Sequence, residues 1–213
     1  MTIKFEKNAG IALIIFTLLM LFTMVLHPAG GSFAYLLKMT AMIIVTHVIA
    51  IISLPFATIG FWGLTKKLGL DNFFSLTAFV FVLFGLMAVL LAGSANGLVL
   101  PIFIEKYKDA TPEFIESLKP ILKYNSAVNA AFDYIYTGAF CLSMLFWSIA
   151  ILYTKKFPAW IAYLGILLSI VPALLLFFGF APAHLQGFRF FVSSIIVWVI
   201  IVGITLIRQP ATV

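Results

Sequence analysis

The sequence predicts an all-α membrane protein: a bundle of six transmembrane helices with a short amphipathic segment in the loop between the third and fourth spans. Three observations carry that expectation. Hydrophobic residues make up 64% of the 213-residue chain and charged residues 9%, where a soluble domain carries about 25% charged residues. The few charges divide the chain into six apolar runs, each near the ~20 helical residues that cross ~30 Å of hydrocarbon. None of the runs alternates polar with apolar residues as barrel strands do. The whole chain, 1–213, reads as one polytopic membrane domain.

The first run, 9–27, follows Lys4 and Lys7. Its apolar stretch is longer than the about 7–15 residues of a signal-peptide core, so it reads as a span. The remaining spans are expected at about 39–64, 73–100, 126–153, 158–180 and 189–207. Pro55 and Pro172 fall inside the second and fifth, where a membrane bundle tolerates a bend. Between the third and fourth spans, Thr111 followed by Pro112 is a helix start, a hydroxyl cap before proline at the first helical position. Phe114, Ile115, Leu118, Ile121 and Leu122 recur behind it at helical spacing and predict an amphipathic segment at the membrane surface. Pro120 either ends that segment or begins the next helix.

Small residues mark the helix faces that approach closely. Gly93 and Gly97 form a GxxxG, with Ala88 and Ala92 near them, and Ala127 and Ala131 repeat the pattern in the fourth span. The same faces suit a homodimer or another membrane partner. A weak internal echo joins Phe61-Trp62 and Thr65-Lys66-Lys67 to Phe146-Trp147 and Thr154-Lys155-Lys156, consistent with tandem hairpins.

Orientation follows from the basic residues. With both termini in the cytoplasm, Lys4, Lys7, Lys66, Lys67, Lys155, Lys156 and Arg208 lie inside, in short connections beside span ends. Lys38, Lys106, Lys108, Lys119, Lys123 and Arg189 lie outside, four of them in one longer loop that also holds Glu105, Asp109, Glu113 and Glu116. Trp62, Trp147, Tyr153, Trp160 and Tyr163 then fall near the inner boundary. The location is the cell (inner) membrane, and the net charge of +6 is that of cytoplasmic helix ends. So apolar a chain offers no basic, polar face to nucleic acid. Phosphate-binding loops and a serine nucleophile elbow are absent. Cys141, alone in an apolar run, reads as a small hydrophobe.

Polar side chains inside spans are costly and need a reason. They are His27, His47, Asn96, Asn129, Asp133 and Arg189, with His184 in the turn before the last span. Counted along their helices from the inner lysines and Arg208, His27, His47, Asp133 and Arg189 all stand about 28–33 Å away, at one outer level. Asn125, Asn129 and Asp133 share a helix face at i, i+4, i+8, with Thr137 continuing it inward. Asn96 is placed to face the same space.

The resulting expectation is an outward-facing polar pocket in which Asn96, Asn129, Asp133 and Arg189 bind a small or lipid ligand. His27, His47, His184 and Asp133 are the candidate ligands of a divalent metal such as zinc. Imidazole suits zinc, and three protein ligands plus water is the catalytic arrangement, able to activate water against a lipid ester or amide. Neither HExxH nor HxxxH occurs, so this rests on depth alone. The alternative is a non-catalytic accessory or structural subunit, in which Asp133 pairs with Arg189 or a histidine and the asparagines bond across helices. A haem or quinone site and a transporter rank lower. Bis-histidine haem needs two histidines facing each other within the bundle, and no charge stands at the midplane, where transporters bind.

Overall fold

The computed structural model describes residues 2–178 and 185–208. Every regular element among them is helical: α1 (Thr2–Leu26), α2 (Phe33–Lys38), α3 (Thr40–Leu68), α4 (Phe73–Ser94), α5 (Leu100–Lys106), α6 (Pro112–Ser117), α7 (Lys119–Thr154), α8 (Ala159–Phe177) and α9 (Leu185–Arg208). A π-helical turn, Ala95–Val99, joins α4 to α5. Five helical stretches are long and apolar enough to cross a membrane, and Ala159–Leu175 is a shorter apolar helix. The chain is thus an all-helical bundle compatible with a membrane protein.

The boundaries depart from the expected spans where local chemistry intervenes. The third apolar run continues through the π turn to Lys106. The fourth begins at Lys119, with proline in its first turn. At 36 residues, α7 is about 54 Å long, well beyond a hydrocarbon layer. Thr111 caps α6 as expected, its hydroxyl accepting the Phe114 N–H at 3.4 Å. The amphipathic segment is shorter than the spacing suggested: α6 has six residues, and Ile121 and Leu122 belong to α7. Part of the expected fifth span, together with His184, lies outside the described residues.

The six long helices form a closed ring. α1 packs on α3, α3 on α4, α4 on α7, α7 on α8, α8 on α9, and α9 returns to α1. The closing contact is backbone on backbone. A β-carbon on Gly10 would stand 2.6 Å from the Gly203 carbonyl oxygen, so only glycine lets α1 and α9 come this near.

At the end where the ring's termini meet, here the base, aromatic side chains fill the axis. Phe61 of α3 stacks on Trp147 of α7 at 4.9 Å, and Trp147 on Trp198 of α9 at 6.3 Å. The two indole N–H groups cannot be left bare in an apolar core. Trp147 donates to the Thr65 hydroxyl at 3.1 Å and Trp198 to the Ile161 carbonyl at 3.0 Å. The two tryptophans of the sequence echo therefore differ in role, since Trp62 lies on the surface and Trp147 is buried. Lys67, almost fully buried, meets Glu6 across α1 and α3 at 3.0 Å.

The opposite end, the cap, holds a second apolar cluster. Phe33 of α2, Ile104 of α5 and Leu118 form its centre, with Ile115 and Leu122 beside it. Of the expected stripe, Ile115, Leu118 and Leu122 thus pack with α2 and α5, while Phe114 and Ile121 are exposed. Gly93 and Gly97 are also used within the chain: both face α3, at Ile51 and His47. Ala127 and Ala131 remain on the surface of α7.

Candidate functional site

Beneath the cap lies a cavity of about 920 Å³. Its lower wall is apolar, from Met20 and Met24 of α1, Ala50 of α3 and Ala88 of α4, and its upper wall includes the Pro28–Ser32 linker. His27, His47, Asn96, Asn129 and Asp133 all line it. The common depth inferred from the inner lysines therefore corresponds to one shared space.

The histidines meet because α1 stops where it does. Proline disfavours helical backbone at the residue before it, and Pro28 follows His27 just past the end of α1. His27 then lies beside the second turn of the neighbouring α3, with its ring 4.9 Å from that of His47. The His27 Nδ1 is 2.9 Å from the Pro28 carbonyl and the His47 Nδ1 is 2.7 Å from the Ile43 carbonyl. A carbonyl only accepts, so each Nδ1 carries the proton, and each neutral ring presents a bare Nε2. Neither Nε2 bonds a described protein group, and neither is sealed from open space.

The carboxamides form a directed chain. Asp133, when ionised, can only accept. The Asn129 amide therefore turns its NH2 to Asp133 Oδ2, at 3.0 Å. Its oxygen then accepts from Asn96, whose own oxygen accepts from Asn125 at 2.7 Å. The order is checked from the other side, because Asn96 also donates to the Ala92 carbonyl at 3.2 Å. Three amides of two helices thus point one way, ending on the carboxylate.

Asn96 reaches this chain through the π turn. In an uninterrupted α-helix the ring of Pro101 would strike the Gly97 carbonyl. The turn is widened instead and closes with the Leu100 N–H on the Ala95 carbonyl. Gly97 then lies flat on α3, where a β-carbon would overlap that of His47. π turns often mark functional positions; this one aligns Asn96 with α7 and Gly97 with His47.

Arg189 does not join the polar set as expected. Its Nη2 donates to the His27 carbonyl at 2.9 Å, closing the end of α1, and its Nε is buried without a partner. Among the described residues neither Arg189 nor His27 or His47 pairs with Asp133, whose bond is to Asn129. Of the four metal candidates, His27 and His47 come together, Asp133 stands at the end of the amide chain, and His184 lies outside the described residues. Among the described residues no three His, Cys, Asp or Glu side chains form a group that could hold a metal ion. Thr137, on the inward continuation of the stripe, is buried with its hydroxyl unpartnered.

Sequence reading missed the aromatic wall. Phe132, Tyr136 and Phe188 line the cavity together with Asp133, and Tyr136 packs on Phe188 at 5.7 Å. The available signal was the position of Phe132 and Tyr136 one and three residues from Asp133, which puts them on adjoining faces of α7. Comparison of the chain with protein-family models, with curated proteins and with solved structures finds no match.

Proposed function

We propose that the protein is a polytopic membrane protein, six spans with both termini cytoplasmic, whose cap-end cavity faces the outer leaflet and binds an amphiphilic ligand. One observation carries this reading: a cavity of about 920 Å³ with an apolar lower wall and convergent His, Asn and Asp side chains. That size falls within the ~300–1,000 Å³ of small-molecule sites, which are mostly apolar with a few placed polar groups. Lipid is the abundant amphiphile at such a site. Its chain suits Met20, Met24, Ala50 and Ala88, and its head suits the polar side chains above them. A purely structural amide chain has no need of empty space beside it, which favours a ligand over the accessory-subunit alternative. α8 completes the even number of crossings that both cytoplasmic termini require.

The test is native mass spectrometry of the protein in mild detergent, wild type against Ala92→Leu, which projects a larger side chain into the cavity. Wild type is expected to carry a bound amphiphile that the variant lacks. Equal retention by both would refute the site.

A second reading, a metal centre, has one observation in its favour. Metal-bound histidines usually donate their other ring N–H to a carbonyl or carboxylate, as His27 and His47 do. Two imidazoles need further ligands to complete a zinc site. Stoichiometric zinc or copper, lost in His47→Ala, would support metal-assisted chemistry on the bound lipid, and background metal in purified protein would exclude it.

A further inference from the structure

Among the described residues, Asp133 is a group of the cavity with few answering partners: it takes one hydrogen bond, from Asn129. None of the ion pairs Lys67–Glu6, Lys108–Glu105 and Lys119–Glu116 includes it. The cations of the neighbouring elements are committed or remote. Arg189 is held on the His27 carbonyl. Lys119 is engaged by Glu116. Lys123, which lines the cavity, stands about 15 Å along α7 from Asp133.

The surroundings of Asp133 have one further property. Phe132, Tyr136 and Phe188 line the same cavity, with Tyr136 packed against Phe188 at 51° between ring planes. A carboxylate that shares a cavity with aromatic rings answers a cation better than any neutral group. The ring faces add quadrupole attraction to that of the charge. A carboxylate or phosphate head at this point would meet like charge and π faces instead. The bare Nε2 atoms of His27 and His47 are acceptors too, and they add no positive charge in the neutral form.

We infer that the occupant of the cavity carries a protonated amine, placed at Asp133 between Phe132, Tyr136 and Phe188, with its apolar chain along Met20, Met24 and Ala88. This rests on the cavity being a ligand site and goes further by naming the head group. The ligand class is an amphiphile with an ammonium head; an alcohol or an acid of the same chain length fits less well.

The test compares n-octylamine, n-octanol and n-octanoate by isothermal titration calorimetry on the full-length protein in a neutral detergent, each against protein-free detergent. The amine is expected to bind at least about tenfold tighter than the alcohol, the factor that ~1.4 kcal/mol of charge and cation–π attraction supplies, and octanoate weakest. Asp133→Asn is expected to reduce the amine to the level of the alcohol while leaving octanol binding in place, and octanol binding serves as the check that the variant is folded. Equal affinity for amine and alcohol in the wild type overturns the inference, as does a preference for the amine that survives in folded Asp133→Asn. Should Asp133→Asn fail to fold, the wild-type ranking decides alone. If none of the three probes binds, the cavity reading itself fails, a result distinct from loss of the amine preference.

Discussion

The base and the cap are built by the same helices, yet they solve opposite problems. At the base, Phe61, Trp147 and Trp198 stack along the axis of the ring and both stacked indole N–H groups have partners. At the cap, the ring encloses open space lined by imidazoles, carboxamides and a carboxylate. Small side chains of α4 (Ala88, Ala92, Gly93) border the cavity and leave it open. The contrast separates two tasks. The packed half holds the helices in place, so the open half can keep polar groups that do not complete one another.

If that division holds, truncation should hurt most at the base. Trp147→Ala removes the middle of the stack and leaves Thr65 without its donor. It is expected to destabilise by about 3–5 kcal/mol, the usual cost of deleting a large buried aromatic, read from SDS-induced unfolding. A loss below about 1 kcal/mol would mean that the base is not the keystone and would break the comparison.

The same enlargement at the two ends sharpens it. Ala150 is fully buried at the base, so Ala150→Leu overpacks and should cost about 1–3 kcal/mol. Ala92→Leu extends into the cavity and should change stability by no more than about 0.5 kcal/mol. Equal penalties in thermal melts would show that the cap is as tightly filled as the base.

A smaller effect than at the base is expected from the amide chain. Asn96→Ala removes the link between Asn125 and Asn129 and should cost about 0.6–1.7 kcal/mol, the range of interhelical hydrogen bonds in membranes. The informative outcome is a comparison with Asn125→Ala, which removes only the first donor. If the chain is directional, Asn96→Ala should alter binding of the octylamine probe and Asn125→Ala should leave it nearly unchanged.

Much of this organisation can be read from the residues, and the limits have physical causes. Apolar runs locate the helices because lipid leaves the chain few alternatives, and Thr111-Pro112 marks a helix start wherever it occurs. Depth along a helix is a matter of counting, which is why His27, His47 and Asp133 were placed at one level. Rotation about the helix axis is not available from counting. The approach of His27 to His47, and the bond from Asn96 to Asn129, depend on which faces α1, α3, α4 and α7 turn to one another. The π turn was hidden for another reason. Pro101 predicts a disturbance but not whether the helix kinks, ends or widens, and the outcome is decided by Gly97 lying against His47. Arg189 was matched with Asp133 by charge, whereas its position at the end of α1 gives it a carbonyl instead. The two small helices α2 and α5 fall in the connections expected between spans, because six or seven residues are too few for a helical pattern to show.

The closing contact of the ring has a consequence for assembly. Gly10 and Gly203 touch, but a ribosome adding ~5–20 residues per second makes them roughly 10–40 s apart. Throughout that interval the face of α1 that α9 will cover has no partner from its own chain. The base stack waits as well, because Trp198 arrives with α9, and so does the Arg189 that holds the His27 carbonyl. The cavity therefore gains its last wall only after nearly the whole chain has been made, and a chain arrested before α9 would expose the site unfinished.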